Sequence, residues 1–284
     1  MAAKYTTAKE TAWCPGCGNF GILSALAQAL EGLKIEPNKM LYVSGIGQAG
    51  KTPHYISGNV LNTLHGRTLP TATGAKLANK ELTVIAMGGD GDGFAEGGNH
   101  FLHALRKNVD ITYLVHDNRV FGLTKGQASP SSDQGMVTGT TPDGVSNEAL
   151  NPLALAITMN AGFVARSYSG DREHLVRTIQ AAIQHPGFSF VDILQPCVTF
   201  NKVNTYQWYR SRVYDLNAQG HQPDDRQAAW QRAWEWGKRI PIGIFYQVQR
   251  PTLADQYSFL GDGPLVKEKF DPANVQAILD QFRV

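Results

Sequence analysis

Two short segments have the residue types and spacing to hold a charged ligand. Gly89-Asp90-Gly91-Asp92-Gly93 follows one apolar run, and Asp117-Asn118-Arg119-Val120-Phe121-Gly122 follows the next. The Asp90 carboxylate and the Asn118 amide oxygen are donors of the kind that a hard cation such as Mg²⁺ takes. The flanking glycines let backbone N–H groups close on a diphosphate held by that ion, which is what a thiamine diphosphate site needs. A lone Gly-Asp-Gly is commonly only a turn. A calcium loop is excluded, because Phe94-Ala95 stands where an EF-hand requires an oxygen ligand and a glycine. The chain between Gly91 and Asn118 is long enough for one helix and one strand, so both donors are expected on the same edge of a sheet.

A competing pattern lies upstream. Gly45-Ile46-Gly47-Gln48-Ala49-Gly50-Lys51-Thr52 has the spacing of a P-loop and follows a strand-like run, which supports nucleotide hydrolysis as an alternative. Against it, Pro53 biases Thr52 away from the helical region where a P-loop turns into its helix. The same stretch has the glycines of a dinucleotide fingerprint, yet no Asp or Glu lies between Lys51 and Lys80 to hold a ribose. The cysteines point elsewhere: the chain has three, two of them as Cys14-x-x-Cys17, which argues for metal or redox chemistry over a disulfide framework.

The elements that would position these residues alternate between strand and helix. Apolar residues at helical spacing predict a helix over residues 18–33, followed by a strand from Met40 to Val43. A strand from Leu82 to Met87, a helix from Phe94 to Lys107 and a strand from Ile111 to Val115 come next. Then follow a helix from Pro152 to about Asn160, a strand near Phe163 to Ala165, a helix from Arg172 to Gln184 and a strand from Phe188 to Leu194. This alternation predicts an α/β fold, a parallel sheet with helices on both faces and ligands at the strands' C-terminal ends. Residues 1–200 are expected to form that domain. Residues 201–284, which hold Trp208, Trp230, Trp234 and Trp236, are expected to be an extension packing on the core or on a partner subunit.

Composition narrows the function classes. The net charge is +2 with Lys and Arg scattered, which argues against a nucleic-acid or membrane-surface role. The first residues lack a basic start followed by an apolar stretch, and no window approaches about 18 uninterrupted apolar residues, so a cytoplasmic chain is expected.

Seven ordered blocks resemble the β subunit of the 2-oxoacid:ferredoxin oxidoreductases. They are Trp13-Cys14-Pro15-Gly16-Cys17-Gly18, Ser44-Gly45-Ile46-Gly47, His65-Gly66-Arg67, Gly89-Asp90-Gly91-Asp92, Gly97-Gly98-Asn99-His100, Asn118 through Gln127, and Gln195-Pro196-Cys197-Val198-Thr199-Phe200-Asn201. Ile240 to Tyr246 in the tail also looks like that family. The resemblance implies a thiamine diphosphate-binding fold working with an α subunit in a dimer of αβ heterodimers. It implies decarboxylation of a 2-oxoacid, with electrons passing through an iron–sulfur cluster to ferredoxin and the acyl group to coenzyme A. Asp90, Asn118 and the Val120 carbonyl would hold Mg²⁺. Gly91, Asp92, Gly122 and Leu123 would line the diphosphate, and Ile46, Gly47, Gln48 and Ala49 with His65 would surround the thiazolium end. The glutamate that meets the pyrimidine belongs to the partner in that family.

Two points distinguish this chain. Gln48 stands where the family pattern places a cysteine, leaving Cys14, Cys17 and Cys197 of the four thiolates a cubane takes. The outcomes are a cluster with another fourth ligand, a three-iron cluster, or thiols that only pack, with zinc as a further option. The form Leu123-Thr124-Lys125-Gly126-Gln127 looks like the branch accepting 2-oxoglutarate or a broad set of 2-oxoacids, where a cation at Lys125 would meet a distal carboxylate. A non-catalytic, metal-holding scaffold subunit is the remaining alternative, disfavoured by intact Asp90 and Asn118.

Overall fold

The computed structural model describes residues 4–260, 263–269 and 272–283. Its first helix, α1 (Asn19–Leu33), buries Ile22, Leu26 and Leu30 and ends where Lys34 turns left-handed at φ 55°. Strand β1 (Met40–Ser44) is buried throughout, as a central parallel strand must be. Strand β2 (Asn59–Asn62) lies exposed on the sheet edge, and α2 (Thr68–Ala78) returns the chain to β3 (Thr83–Gly89). Helix α3 (Gly98–Lys107) leads to β4 (Ile111–Asp117), after which a short hairpin of β5 (Val120–Phe121) and β6 (Gln127–Ala128) stands off the sheet. Helix α4 (Pro152–Thr158) starts at Asn151, whose side chain accepts the Ala154 N–H at 3.0 Å. Strand β7 (Phe163–Tyr168), helix α5 (Arg172–Gln184), capped by Asp171, and strand β8 (Phe188–Leu194) complete the alternating part.

Among the described residues, eight strands share one sheet in the order β2-β1-β3-β4-β8-β7-β10-β9. The wholly parallel sheet expected from the alternation needs correction. Strands β9 (Val213–Asp215) and β10 (Ile240–Gln247) extend it from the tail, and β10 runs antiparallel to β7, so the sheet is mixed. β10 lacks the alternation that would mark it because nearly all of it is buried, and its register shifts between Ile244 and Tyr246. The tail also carries helices α6 (Tyr206–Arg210), α7 (Arg226–Ala233) and α8 (Pro272–Gln281). Among the described residues, no helix is long and apolar enough to cross a membrane.

Helices cover both faces of the sheet. On one, α1 and α5 bring Leu26, Leu30, Leu175 and Ile179 against Tyr42, Ile85 and Phe163. On the other, α2, α3, α4 and α7 bring Leu69, Phe101, Ile157 and Ala229 against Val43, Val84 and Phe190. The connections leaving β1 and β3 run in opposite directions, β1 to β2 on one side and β3 to β4 on the other, and an open sheet binds ligands at the C-terminal ends beside such a switch.

The helix expected from Phe94 begins differently. Residues Gly91–Glu96 form a wide π-helical turn, closed by the Gly97 N–H on the Asp92 carbonyl at 2.9 Å, and the α-helix starts only at Gly98. Glycine is required within the turn, since a Cβ on Gly93 would lie 2.1 Å from the Tyr113 hydroxyl. Such turns are frequent at functional sites.

Phe101 anchors the face beneath this turn, with its ring 4.9 Å from Phe190 and 5.5 Å from Phe94, centroid to centroid. Phe101→Ala is expected to cost about 3–5 kcal/mol of stability. A lower urea midpoint at unchanged slope would register the loss.

Candidate functional site

The C-terminal ends of β1, β3 and β4, three neighbouring strands, converge on one cleft. Its lining brings together every residue expected around the diphosphate, its cation and the thiazolium: Ile46, Gly47, Gln48, Ala49, His65, Asp90, Gly91, Asp92, Asn118, Val120, Gly122 and Leu123. Lys125 is not part of that lining. It stands exposed at the tip of the β5–β6 hairpin in a left-handed conformation, φ 80°.

Asp90 is fully buried at the end of β3. One oxygen, Oδ2, accepts from Ser129 Oγ at 2.5 Å and Ser131 Oγ at 2.7 Å, whereas Oδ1 is buried without a hydrogen-bond partner among the described residues. Ser131 Oγ lies equally close, 2.7 Å, to Asp117 Oδ1, and a hydroxyl has one proton to give. Burial, followed by the neighbouring Asp117, pushes Asp90 up to about 7 against the pull of the serine hydroxyls. An unpaired buried carboxylate oxygen beside a second carboxylate is a site that calls for a cation. Asn118 completes the donor set. Its Oδ1 accepts the Val120 N–H at 3.0 Å, which bends the chain around Arg119 at φ 61° and leaves the amide oxygen a second lone pair.

The glycines let the walls of the cleft pack closely: a Cβ on Gly91 would lie 2.4 Å from the Phe121 ring, and one on Gly45 would lie 2.1 Å from the Asp92 carboxylate. At Gly47, on the cleft lining, an added Cβ would meet open space. The donor set beside this open backbone suits a magnesium diphosphate.

Asp92, expected against the diphosphate, has its carboxylate engaged elsewhere. Oδ1 accepts the N–H groups of Ile46 at 3.0 Å and Gly66 at 2.8 Å, and Oδ2 accepts Thr68 Oγ at 3.2 Å. It lines the cleft and ties together the loops that carry Ile46 and His65. His65 in turn lies over Phe121, ring centroids 6.3 Å apart. Ile46 and Leu123, each 42% exposed, form the rim.

The P-loop alternative fails on its own hydrogen bonds. The N–H groups of Gly45 and Ile46 are taken by Met87 O and Asp92, and Thr52 Oγ donates to Ala49 O at 2.8 Å within a tight 3₁₀ turn, Ala49–His54, that contains Pro53. Lys51 reaches the Ala12 carbonyl at 3.5 Å.

A second cleft shares a wall with the first. Cys14, Cys17 and Cys197 line it with Trp13, Gln195 and Phe200, and Gln48, Asn118 and Gly122 belong to both clefts. Burial pushes the Cys17 thiol up to about 11, and the nearby Cys197 and Cys14 add to the rise. Among the described residues, no three His, Cys, Asp or Glu side chains are grouped as a single metal ion would need.

Several contributors carry no distinctive sequence signal. Ser129, Ser131 and Ser132 follow the hairpin, and Ser132 Oγ donates to the Arg119 carbonyl at 2.6 Å. The Arg119 guanidinium pairs with Asp133 and lies 3.8 Å from the centre of the Trp236 ring, while Trp236 Nε1 donates to Asp133 at 2.9 Å. Asn201 Nδ2 donates to the Asn118 carbonyl at 3.1 Å. The tail thus props the turn that presents Asn118.

Residues 41–193 match the family described as thiamine pyrophosphate enzyme, C-terminal TPP binding domain, and residues 197–262 match the C-terminal part of the pyruvate ferredoxin oxidoreductase beta subunit. The 2-oxoacid:ferredoxin oxidoreductase subunit beta of Saccharolobus solfataricus is 49% identical over 256 residues, covering 86% of this chain and 84% of the relative. The 2-oxoglutarate synthase subunit KorB of Methanocaldococcus jannaschii is 38% identical, covering 86% and 90%. A 2-oxoglutarate:ferredoxin oxidoreductase from Magnetococcus marinus, solved with 2-oxoglutarate, coenzyme A and succinyl-CoA bound, superposes with a TM-score of 0.90 at 38% identity, over 98% of this chain and 95% of that one. The chain belongs to the β subunits of the 2-oxoacid:ferredoxin oxidoreductases, which use thiamine diphosphate to decarboxylate 2-oxoacids oxidatively and pass the electrons to ferredoxin.

Proposed function

We propose that this chain, with its α subunit, converts 2-oxoglutarate and coenzyme A to succinyl-CoA and CO₂. The unpaired Asp90 Oδ1 beside Asn118, inside a glycine-lined cleft, is the observation that carries the cofactor assignment. Asp90, Asn118 and the Val120 carbonyl would hold Mg²⁺, and Gly91, Gly122 and Leu123 would line the diphosphate. When bound, thiamine diphosphate supplies an acidic ring carbon that attacks a 2-oxo carbon and a cationic ring that takes up electrons as CO₂ leaves. The chain's own residues orient that ring and exclude water. Ile46, Gly47, Gln48, Ala49 and His65 wall its reactive end, with Asp92 as the brace that fixes their loops. The apolar rim of Ile46 and Leu123 suits coverage by the α subunit.

Cys14, Cys17 and Cys197 would hold an iron–sulfur cluster that takes the electrons onward to ferredoxin. The shared wall of the two clefts supports this route, and exposed Cys14 puts its outer edge within reach of an acceptor. For the substrate, the support is the relative solved with 2-oxoglutarate and the exposed Lys125 at the hairpin tip beside the cleft rim.

Substitutions at three positions test these assignments. Asp90→Ala should weaken magnesium thiamine diphosphate binding at least about 100-fold, since even outer contacts of a metal site are worth 10–100-fold. Near-wild-type cofactor content and ferredoxin reduction in this variant would refute the site.

Asp92 acts through its hydrogen bonds, which an amide can reproduce. Asp92→Asn should therefore keep cofactor affinity within about threefold, whereas Asp92→Ala, which strands two backbone donors, should lose about tenfold or more in a cofactor titration. Equal damage from both would make the charge itself the important feature.

Lys125→Ala should raise KM for 2-oxoglutarate about tenfold or more and leave that for pyruvate unchanged, because only the former has a distal carboxylate. Parallel changes for both substrates would remove Lys125 from substrate recognition.

A further inference from the structure

The thiol cleft has three sulfur donors and a fourth wall that is not sulfur. The chain contains three cysteines in all, so no other thiolate can be recruited from within it. The polar side chains of the cleft are placed differently. Gln195 Nε2 donates to Cys17 Sγ at 3.4 Å and to the Pro196 carbonyl at 2.9 Å, which ties that side chain beside Cys17, and Asn118 Oδ1 accepts from Val120. The amide oxygens of Gln195 and Gln48 are both buried with no hydrogen-bond partner among the described residues. Gln48 has its backbone carbonyl fixed by Trp13 Nε1 at 2.9 Å and, unlike Gln195, also lines the first cleft. Because Gln48 lines both clefts, the corner it closes is the one facing the thiamine cleft.

Resting on the cluster assignment above, we propose that the site holds a three-iron, four-sulfide cluster, with one iron on each cysteine thiolate and none at the Gln48 corner. A four-iron cubane needs a terminal donor on every iron, and thiolates supply the soft, charged ligands it prefers. A neutral amide oxygen is a poor substitute, so an iron at that corner is weakly held. A three-iron core needs only the three thiolates that this chain has. The Gln48 side chain then fills the remaining corner, shielding the core from the thiamine cleft without binding metal.

The test uses the complex with its α subunit, purified anaerobically and reconstituted with ferrous iron and sulfide, and counts irons and sulfides attributable to this chain alongside electron paramagnetic resonance. Wild type should hold about three irons and four sulfides, with the paramagnetic signal of an oxidised three-iron core. Gln48→Leu should hold the same core. Gln48→Cys should hold about four irons and lose that signal in the oxidised state. Four stable irons in wild type, falling to three in Gln48→Leu, would make Gln48 a ligand and overturn the proposal. Three irons in Gln48→Cys would overturn it too, by placing the vacant corner elsewhere. If neither wild type nor Gln48→Cys takes up iron, the cluster assignment itself fails, which is a separate outcome from either of these.

Discussion

Two buried carboxylates at adjacent strand ends set the terms for the rest of this molecule. Asp90 and Asp117 share the hydroxyl of Ser131, and neither has an outlet to solvent. Like charges that close together repel in a medium that screens them poorly. Ser129 and Ser131 offset part of that repulsion, and the buried Arg119 guanidinium offsets more from the Asp117 side. A divalent cation at the unpaired Asp90 oxygen, as proposed above, would supply the remaining counter-charge. Poorly balanced alone, the arrangement would be balanced by that ion, as expected where folding and cofactor binding are linked.

Keeping Arg119 in place explains why the tail reaches so far into the site. A guanidinium buried beside Asp117 must be paired and packed, and Asp133 and the Trp236 ring do both. Asn204 steadies Asp133, and Asn201 holds the carbonyl of Asn118. Residues far beyond the cofactor loops in the chain therefore fix the turn that aims the Asn118 amide. A second buried pair, Arg166 with Asp192 at 2.9 Å, also lies near Trp236, linking β7 and β8 to the same support.

What could be read beforehand was the part of the site made of chemically specific residues at strand ends. Asp90, Asn118 and their glycines stand at the ends of apolar runs with a helix and a strand between them, and that spacing is what places them together in one cleft. Ser129, Ser131, Asn201 and Trp236 have no such signal, since serine and asparagine are common in loops and meet the carboxylates only through tertiary folding. Strand β10 was hidden for a different reason: burial of both faces removes the two-residue alternation, and Gly243 and Pro241 look like breakers. The P-loop pattern shows the opposite error. Its residue types fit a phosphate cradle, yet the N–H groups of Gly45 and Ile46 are consumed by the sheet and by Asp92.

The loop that mimics a P-loop has a different task, visible in what its two sides face. Gln48 lines both the thiamine cleft and the thiol cleft, and the Trp13 indole that fixes its carbonyl stands in the same turn region as Cys14. Trp13 is itself held edge-on by Tyr55 and Phe20, with centroids 4.7 Å and 5.5 Å away. Gln48, Asn118 and Gly122 thus form a shared wall between the cleft proposed for the cofactor ring and the cleft proposed for the cluster. Such a wall would keep the electron path short and hold solvent at the thiols away from the cofactor ring. Both needs fall on the same few side chains, so a change in the chemistry of Gln48 acts on the two clefts at once.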